Sequence, residues 1–167
     1  MTGPPGAGKT TMSRAFAAAC PRAVHLLTDD FWRSIVSGAI PPYLPESDSQ
    51  NRVVMRVIVK AATTFAAGGY TTIVDGVIGP WMLYHFLLAR GPRMHYLVLR
   101  PARDETIRRA QARGTNALTA AGPLGAMWDQ FAALGAWERH AIDTTHQDRA
   151  ATLTTLQAAV ASDKYLL

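Results

Sequence analysis

Residues 51–67 carry apolar side chains at 54, 55, 58, 59, 62, 65 and 66, the stripe of an amphipathic helix, and Gly68-Gly69 closes it. Elsewhere the pattern shortens to runs of strand length. Residues 23–27, 70–74, 94–99 and 140–143 are apolar or β-branched and read as buried strands. Between them lie further helical segments. Residues 9–20 are Ala-rich, free of interior Gly or Pro, and stopped by Pro21; 31–37, 81–89, 103–113, 124–137 and 148–162 complete the set. Pro41, Pro42 and Pro45 mark 38–49 as a loop, and 114–123 is a small, polar connection. Strands alternating with helices of this length predict a parallel sheet covered on both faces. No linker or internal repeat divides the pattern, so residues 1–167 are expected to form a single domain.

Composition narrows this picture without changing it. With 49% apolar and 17% charged residues in 167, the chain is neither disordered nor low in complexity. A chain of this length buries roughly 70% of its unfolded surface, enough for a core without metal or disulfide staples. The single cysteine, Cys20, has no intramolecular partner, and no Cys/His cluster has zinc spacing. No apolar run is long enough to span a membrane. The stretch 14–20 imitates a short signal segment but follows no basic leader, so the expected location is cytoplasmic. Seventeen basic against twelve acidic residues give a net charge of +5 with no basic run. The densest set, Arg100, Arg103, Arg108, Arg109 and Arg113, suits a triphosphate at least as well as DNA.

The chemistry is carried by Gly3-Pro4-Pro5-Gly6-Ala7-Gly8-Lys9-Thr10, which fits the Walker A spacing G-x-x-x-x-G-K-[ST] at every fixed position. Its glycines let successive N–H groups turn inward around a phosphate. Lys9 can reach the β- and γ-phosphates, the Thr10 hydroxyl suits Mg²⁺, and the helix that follows, with Thr11 in its first turn, directs its positive end at the same anion. Such a loop normally follows a buried strand, yet only Met1 and Thr2 precede Gly3. The first strand is therefore expected to be missing or unnumbered before Met1, and a chain starting there to be poorly stable, because both neighbouring strand edges would be exposed.

An Asn-Lys-x-Asp element for guanine is absent, and the strand ending at Asp75 continues with Gly76 rather than a second carboxylate to activate water. The chain is also too short for a lidded AAA+ motor. These absences favour a kinase, in which an acceptor hydroxyl replaces water. Ligands of an open parallel sheet sit beyond the carboxyl ends of its strands. Asp29, after the strand 23–27, is the candidate base, with Asp30 beside it as a helix cap; capping alone would also account for both. Asp75 is a candidate to hold Mg²⁺ through water, a plain turn residue being the alternative. Arg109 and Arg113 share a helix face at the edge of 114–123, the makings of a lid over about 109–123. Equally, they could form a solvated basic face paired with Asp104 and Glu105; Arg108 points elsewhere.

Taken together, the phosphate loop, Thr28-Asp29-Asp30-Phe31, Asp75-Gly76, Arg109…Arg113-Gly114 and Asp143-Thr144-Thr145-His146 resemble small P-loop kinases of the chloramphenicol phosphotransferase type. The wider group includes shikimate-, gluconate- and zeta-toxin-like kinases. The resemblance implies a three-layer P-loop fold with a five-stranded parallel sheet and helices on both faces. It implies Asp29 as base, Arg109 against adenine, Arg113 on the phosphates, and Asp143-Thr144-Thr145 as the turn beside the base of the nucleotide. That turn could also be an ordinary helix N-terminus. The Pro-rich loop with Tyr43 departs from the family pattern.

The expected function is ATP- and Mg²⁺-dependent transfer of the γ-phosphate to a small-molecule hydroxyl, antibiotics being among the candidate acceptors. Lys9, Asp29 and Arg113 are the expected catalytic residues, Thr10 and Asp75 the metal residues. The acceptor would meet Asp29, Arg33 and the aromatic residues nearest strand ends and loops, Trp32, Tyr43, Trp81 and Trp128; Phe31, Met82, Met127 and Phe131 are core by default. A polynucleotide or nucleoside kinase and a non-catalytic ATP-binding regulator are the alternatives. Nucleic acid is not the expected partner, and a monomer and a homodimer are both open.

Overall fold

The computed structural model of the protein describes residues 1–89, 91–112 and 120–167. Strand β1 (Ala23–Leu27) pairs in parallel with β2 (Thr71–Asp75), and β3 (Val98–Leu99) with β4 (Ala141–Ile142). The two pairs are joined through Met1 and Thr2. Thr2 N–H donates to Leu97 O at 2.8 Å, and Leu99 N–H to Thr2 O at 2.8 Å. On the other side the Met1 amine donates to Val74 O at 2.8 Å and Gly76 N–H to Met1 O at 3.4 Å. The spatial order is therefore β1, β2, the 1–2 segment, β3, β4. Against the expected five, four strands are present among the described residues, with Met1 and Thr2 holding the place between β2 and β3.

Alternation along β3 separates two cores. Val98 joins Val54, Met55 and Ile58 of α3 (Asp48–Ala67) and Phe86 of α4 (Tyr84–Leu87) on one face. Leu97 and Leu99 pack with Met12 and Ala15 of α1 (Lys9–Ala18) and Leu156 of α7 (Arg149–Ala161) on the other. This is a three-layer α/β arrangement, as the alternation of elements predicts. The long α3 buries Val54, Met55, Ile58 and Val59, part of the stripe read from its sequence.

Element boundaries moved where local chemistry is ambiguous. Helix α2 (Thr28–Arg33) starts and ends earlier than expected, with Leu27 at its N-cap and no side-chain cap, so neither Asp29 nor Asp30 is the cap. The segment 81–89 splits into a 3-10 turn (Pro80–Met82) and α4. Helix α5 is Arg103–Gln111, and 113–119, which holds Arg113 and most of the expected lid, lies outside the described residues. Helix α6 (Ala121–Asp129) begins inside the expected loop, Pro123 being tolerated in a first turn, and stops well short of Trp137; a 3-10 stretch (Gly135–His140) follows. The last helix matches its cap: Asp148 Oδ1 accepts from Ala151 N–H at 2.8 Å.

Candidate nucleotide and phosphoryl-transfer site

The loop from Gly3 to Gly8 leaves the 1–2 segment at the carboxyl end of the sheet and enters α1. Gly3, Gly6 and Gly8 have φ of 141°, 92° and 89°, the left-handed region that side chains avoid. At Gly6 the requirement is doubled, because a Cβ there would overlap the Thr106 carbonyl of α5. The loop is thus wedged between strand and helix. Lys9 Nζ donates to Pro4 O at 3.0 Å, folding its ammonium across the loop where phosphates would bind.

A cleft of about 370 Å³ opens beside this loop, lined by Gly6, Ala7, Gly8, Thr11 and Met12, by Glu105, Arg108 and Arg109 of α5, and by Thr144, Gln147, Asp148, Arg149 and Thr152. Arg109 crosses it. Its Nε donates to Glu105 Oε1 at 2.6 Å and its Nη2 to the carbonyls of Thr144 and Thr145, both at 3.2 Å. Arg108 also donates to Glu105, twice at 2.7 Å, and lines the cleft rather than turning away from it. The two guanidinium groups hold the Glu105 carboxyl down at about 2, against an ordinary 4.5. Asp143 shapes the turn: its Oδ1 accepts from the Thr145 amide at 2.9 Å and from the Thr145 hydroxyl. These bonds hold its carboxyl below the ordinary value. Two polar atoms here, Thr144 Oγ1 and Gln147 Oε1, are buried without a partner, as expected where a ligand supplies one.

At the ends of β1 and β2 the structure assembles a second cluster. Asp75 is fully buried; its Oδ2 meets His25 Nε2 at 3.0 Å and its Oδ1 has no partner. His25 reaches it because both lie on the α1-facing side, two positions apart in a register that pairs His25 with Ile73. The Met1 amine is buried nearby, and burial pushes its pKa from 8.0 to about 6, with Asp75 opposing and Lys9 adding to the shift. Gly76 has no room for a Cβ against the Thr28 side chain, so the start of α2 closes directly onto the end of β2. Asp29 and Asp30 follow on the exposed side of that junction. Asp30 pairs with Arg33 at 3.1 Å and Asp29 only loosely at 3.9 Å, leaving the Asp29 carboxylate 60% exposed.

The expected acceptor residues are not gathered into one pocket. Arg33 is spent on Asp30; Trp32 Nε1 donates to Asn51 Oδ1 at 2.8 Å and packs on the core; Trp128 Nε1 donates to Pro101 O at 2.9 Å. Trp81 is half-exposed and touches the buried ring of Phe131 at 5.8 Å, while Tyr43 is 83% exposed. Neither this cleft nor a cavity of about 410 Å³ between Thr72, Val74, His95 and Leu97 is lined by any of them. Sequence reading missed His25, Gln147 and Arg149. Only the i, i+3, i+4 spacing of Glu105, Arg108 and Arg109 carried a signal for a helix-face cluster.

A glycine-cradled anion site at the start of a helix, fed from the middle of a parallel sheet and faced by a buried carboxylate on the neighbouring strand, defines a P-loop domain of the kinase-like kind. The chain belongs to the AAA domain family, which it matches over residues 1–122. No curated protein sequence matches it. Among solved structures it is similar to an unliganded sugar kinase from Janibacter sp. HTCC2649, with TM-score 0.71 at 15% identity over 98% of this chain and 93% of that one. It is also similar to the Deinococcus radiodurans tunicamycin resistance protein, with TM-score 0.67 at 14% identity over 95% and 92%. A chain of the Pnkp1/Rnl/Hen1 RNA repair complex gives 0.60 at 16% identity, over 77% of this chain and 42% of that one. At these identities the likeness is one of fold. Among the described residues no helix is long and apolar enough to cross a membrane.

Proposed function

We propose that the protein is an ATP-dependent phosphotransferase acting on a hydroxyl of a small molecule. The observation that carries this reading is the division of the site. A polar cleft with unpartnered buried atoms flanks the phosphate loop, while a largely exposed carboxylate, Asp29, stands at the open end of β1. ATP would lie in the cleft, its base against Arg109 and the adjoining 143–145 turn, its phosphates against the backbone of Gly6–Gly8 and Lys9. The acceptor oxygen attacks the γ-phosphorus as the bridging oxygen–phosphorus bond breaks, ADP departs, and the hydroxyl proton passes to Asp29. Lys9 stabilises the charge that develops on the transferring group.

The donor set suits Mg²⁺. Thr10 supplies a hydroxyl at the first turn of α1, and the orphaned Oδ1 of buried Asp75 has the acceptor chemistry to receive a metal-bound water. Bound there, Mg²⁺ would neutralise phosphate charge. His25 fixes the Asp75 carboxylate by holding its other oxygen.

The likeness to a sugar kinase and to a tunicamycin resistance protein favours sugars and sugar-bearing antibiotics as first acceptors, a finer reading close to the chloramphenicol phosphotransferase type. A second reading, transfer to a 5′-hydroxyl of a polynucleotide, draws on the RNA repair likeness and the net charge of +5. One experiment separates them: ADP release from Mg·ATP across antibiotics, sugars, nucleosides and 5′-hydroxyl oligonucleotides. The Asp29→Asn chain runs in parallel. The expected result is release stimulated by one small-molecule class and reduced about 10²–10⁴-fold in the variant. Stimulation by oligonucleotides with a steep salt dependence would favour the second reading. ATP binding without release for any acceptor would leave a regulator in place of an enzyme.

A further inference from the structure

Residues 38–47, between α2 and α3, are poorly equipped to hold a shape by themselves. Pro41, Pro42 and Pro45 have no N–H to give. Within the segment Leu44 N–H reaches Pro41 O at 3.0 Å and Ser47 N–H reaches Leu44 O at 3.0 Å. The rest of its order comes from the first turn of α3. Gln50 clamps Ile40 from both ends of one amide: its Oε1 accepts from Ile40 N–H at 2.8 Å and its Nε2 donates to Ile40 O at 2.7 Å. Asn51 joins three elements. Its Nδ2 donates to Pro42 O and to Ser47 Oγ, both at 2.8 Å, and its Oδ1 accepts from Trp32 Nε1 at 2.8 Å. The buried Ser47 hydroxyl in turn lies 3.0 Å from Pro42 O and 2.7 Å from Leu44 O.

An indole N–H only donates and a carbonyl only accepts, so the Asn51 amide is fixed in one orientation with both of its hydrogens used. One side chain thus ties the loop to α2, the helix that carries Asp29 about one turn before Trp32. What the strap holds is not a core. Tyr43, next to Pro42, stands in solvent, and Leu44 is half-exposed. Ordering such a loop costs backbone entropy, and its tip buries little apolar surface to offset it. Charge narrows what the tip can meet. Residues 38–47 hold no cation and one acid, Glu46, while Arg33 and Arg52 on the flanking helices are engaged by Asp30 at 3.1 Å and Asp48 at 2.9 Å. A phosphate or carboxylate on the acceptor would find no free cation on this loop.

We propose that Asn51 is a positioning residue for the acceptor: with Gln50 it holds residues 40–47 as a preformed arm in register with Asp29, and Tyr43 on that arm takes the ring or apolar face of an uncharged acceptor. The inference rests on the proposed function and deepens it, since it sets neutral alcohols ahead of sugar phosphates and polynucleotides. A tyrosine offers large contact area at low entropy cost once its backbone is fixed in advance. None of these residues lines the nucleotide cleft, so the arm acts on the acceptor alone.

The test compares the full chain with Asn51→Leu and Gln50→Ala. Leucine keeps the shape of the Asn51 amide without its bonds; Gln50→Ala spares the Trp32 contact and serves if the first variant folds poorly. Hydrogen exchange of the Ile40, Leu44 and Ser47 amides reports the arm. Acceptor KM, kcat, ATP KM and solution mass are measured with the neutral acceptor that best stimulates ADP release. The expected result is exchange at least about tenfold faster and an acceptor KM raised about tenfold, with kcat and ATP KM within about twofold of the parent. Unchanged exchange overturns the proposal, and so does a freed arm with an unchanged acceptor KM. A parallel rise in ATP KM also overturns it, being the mark of a general loss of structure. So does a parent that uses phosphate-bearing analogues as well as neutral ones. A dimer lost in the variants at constant acceptor KM would give the arm to a second copy instead. Failure of the proposed function is distinct: no acceptor stimulates the parent, and this inference falls with it.

Discussion

The proposed nucleotide side and the proposed acceptor side of this molecule are built on opposite principles. Around the phosphate loop distant elements meet: Gly6 abuts α5, and Arg109, braced by Glu105 on its own helix, reaches across to the 143–145 turn. Around the acceptor side the polar groups are held by near neighbours or by none. Asp29 and Asp30 share Arg33 on the same helix, and Tyr43 and Val36 stand in solvent at 83% and 97% exposure. A triphosphate is the same whatever the acceptor, so its cradle can be fixed by tertiary contacts. The acceptor side, made of short helix and Pro-rich loop, leaves specificity to residues that contribute little to the fold.

That contrast can be broken, and the largest effect should come from the loop itself. Lys9→Ala is expected to reduce turnover about 10²–10³-fold with every acceptor, measured as ADP release, while the far-ultraviolet spectrum is unchanged. If turnover matches the parent, the cradle is not where phosphate is transferred.

His25→Ala touches the junction between the two sides. Removing the ring leaves the buried Asp75 Oδ2 unpaired, at an expected cost of about 1–3 kcal/mol in denaturant unfolding. It should also raise the Mg²⁺ concentration needed for half-maximal rate, which His25→Gln partly restores. Loss of stability with no change in Mg²⁺ requirement would make His25 a packing residue only.

Arg109→Ala should raise the ATP KM about tenfold or more, equally for all acceptors, by removing a charged donor from the cleft. Its partner sets the acid limit of the clamp. Glu105 has its pKa lowered from 4.5 to about 2, so its contribution is fully present above about pH 4.5 and is lost as pH falls toward 2. ATP binding that weakens between pH 7 and 5 in parallel with loss of this contact would contradict that assignment.

The smallest effect belongs to the open side. Tyr43→Ala should leave melting within about 1–2 °C of the parent and leave the ATP KM alone, because the ring is almost wholly in solvent. A change in acceptor KM alone would bring this loop into the acceptor site; a fall in stability would show that the two sides are less distinct than their contacts imply.

Much of this was legible in the chain. The glycine spacing of the phosphate loop needs positive φ and close approach, a demand local enough to be written in eight residues, and the structure meets it at Gly3, Gly6 and Gly8. The strand 23–27 and the α3 stripe followed from the period of their apolar positions for the same reason.

What the sequence could not supply was anything that depends on two distant segments meeting. His25 and Asp75 lie fifty positions apart and become partners only because β1 and β2 pair in one particular register. Arg109 reads as a lid cation in sequence, yet its carbonyl partners lie 35 and 36 residues on, set by the packing of α5 beside the turn after β4. The aromatic residues offered as an acceptor pocket share composition, not a location, because Trp32, Trp81 and Trp128 are held by separate acceptors or core contacts while Tyr43 stands in solvent. The sequence by itself determined the chemistry of the loop and the alternation of layers, since both are encoded over short distances. The partners of each charge were decided by tertiary structure, because only folding sets which distant side chains, carbonyls and buried carboxylates face one another.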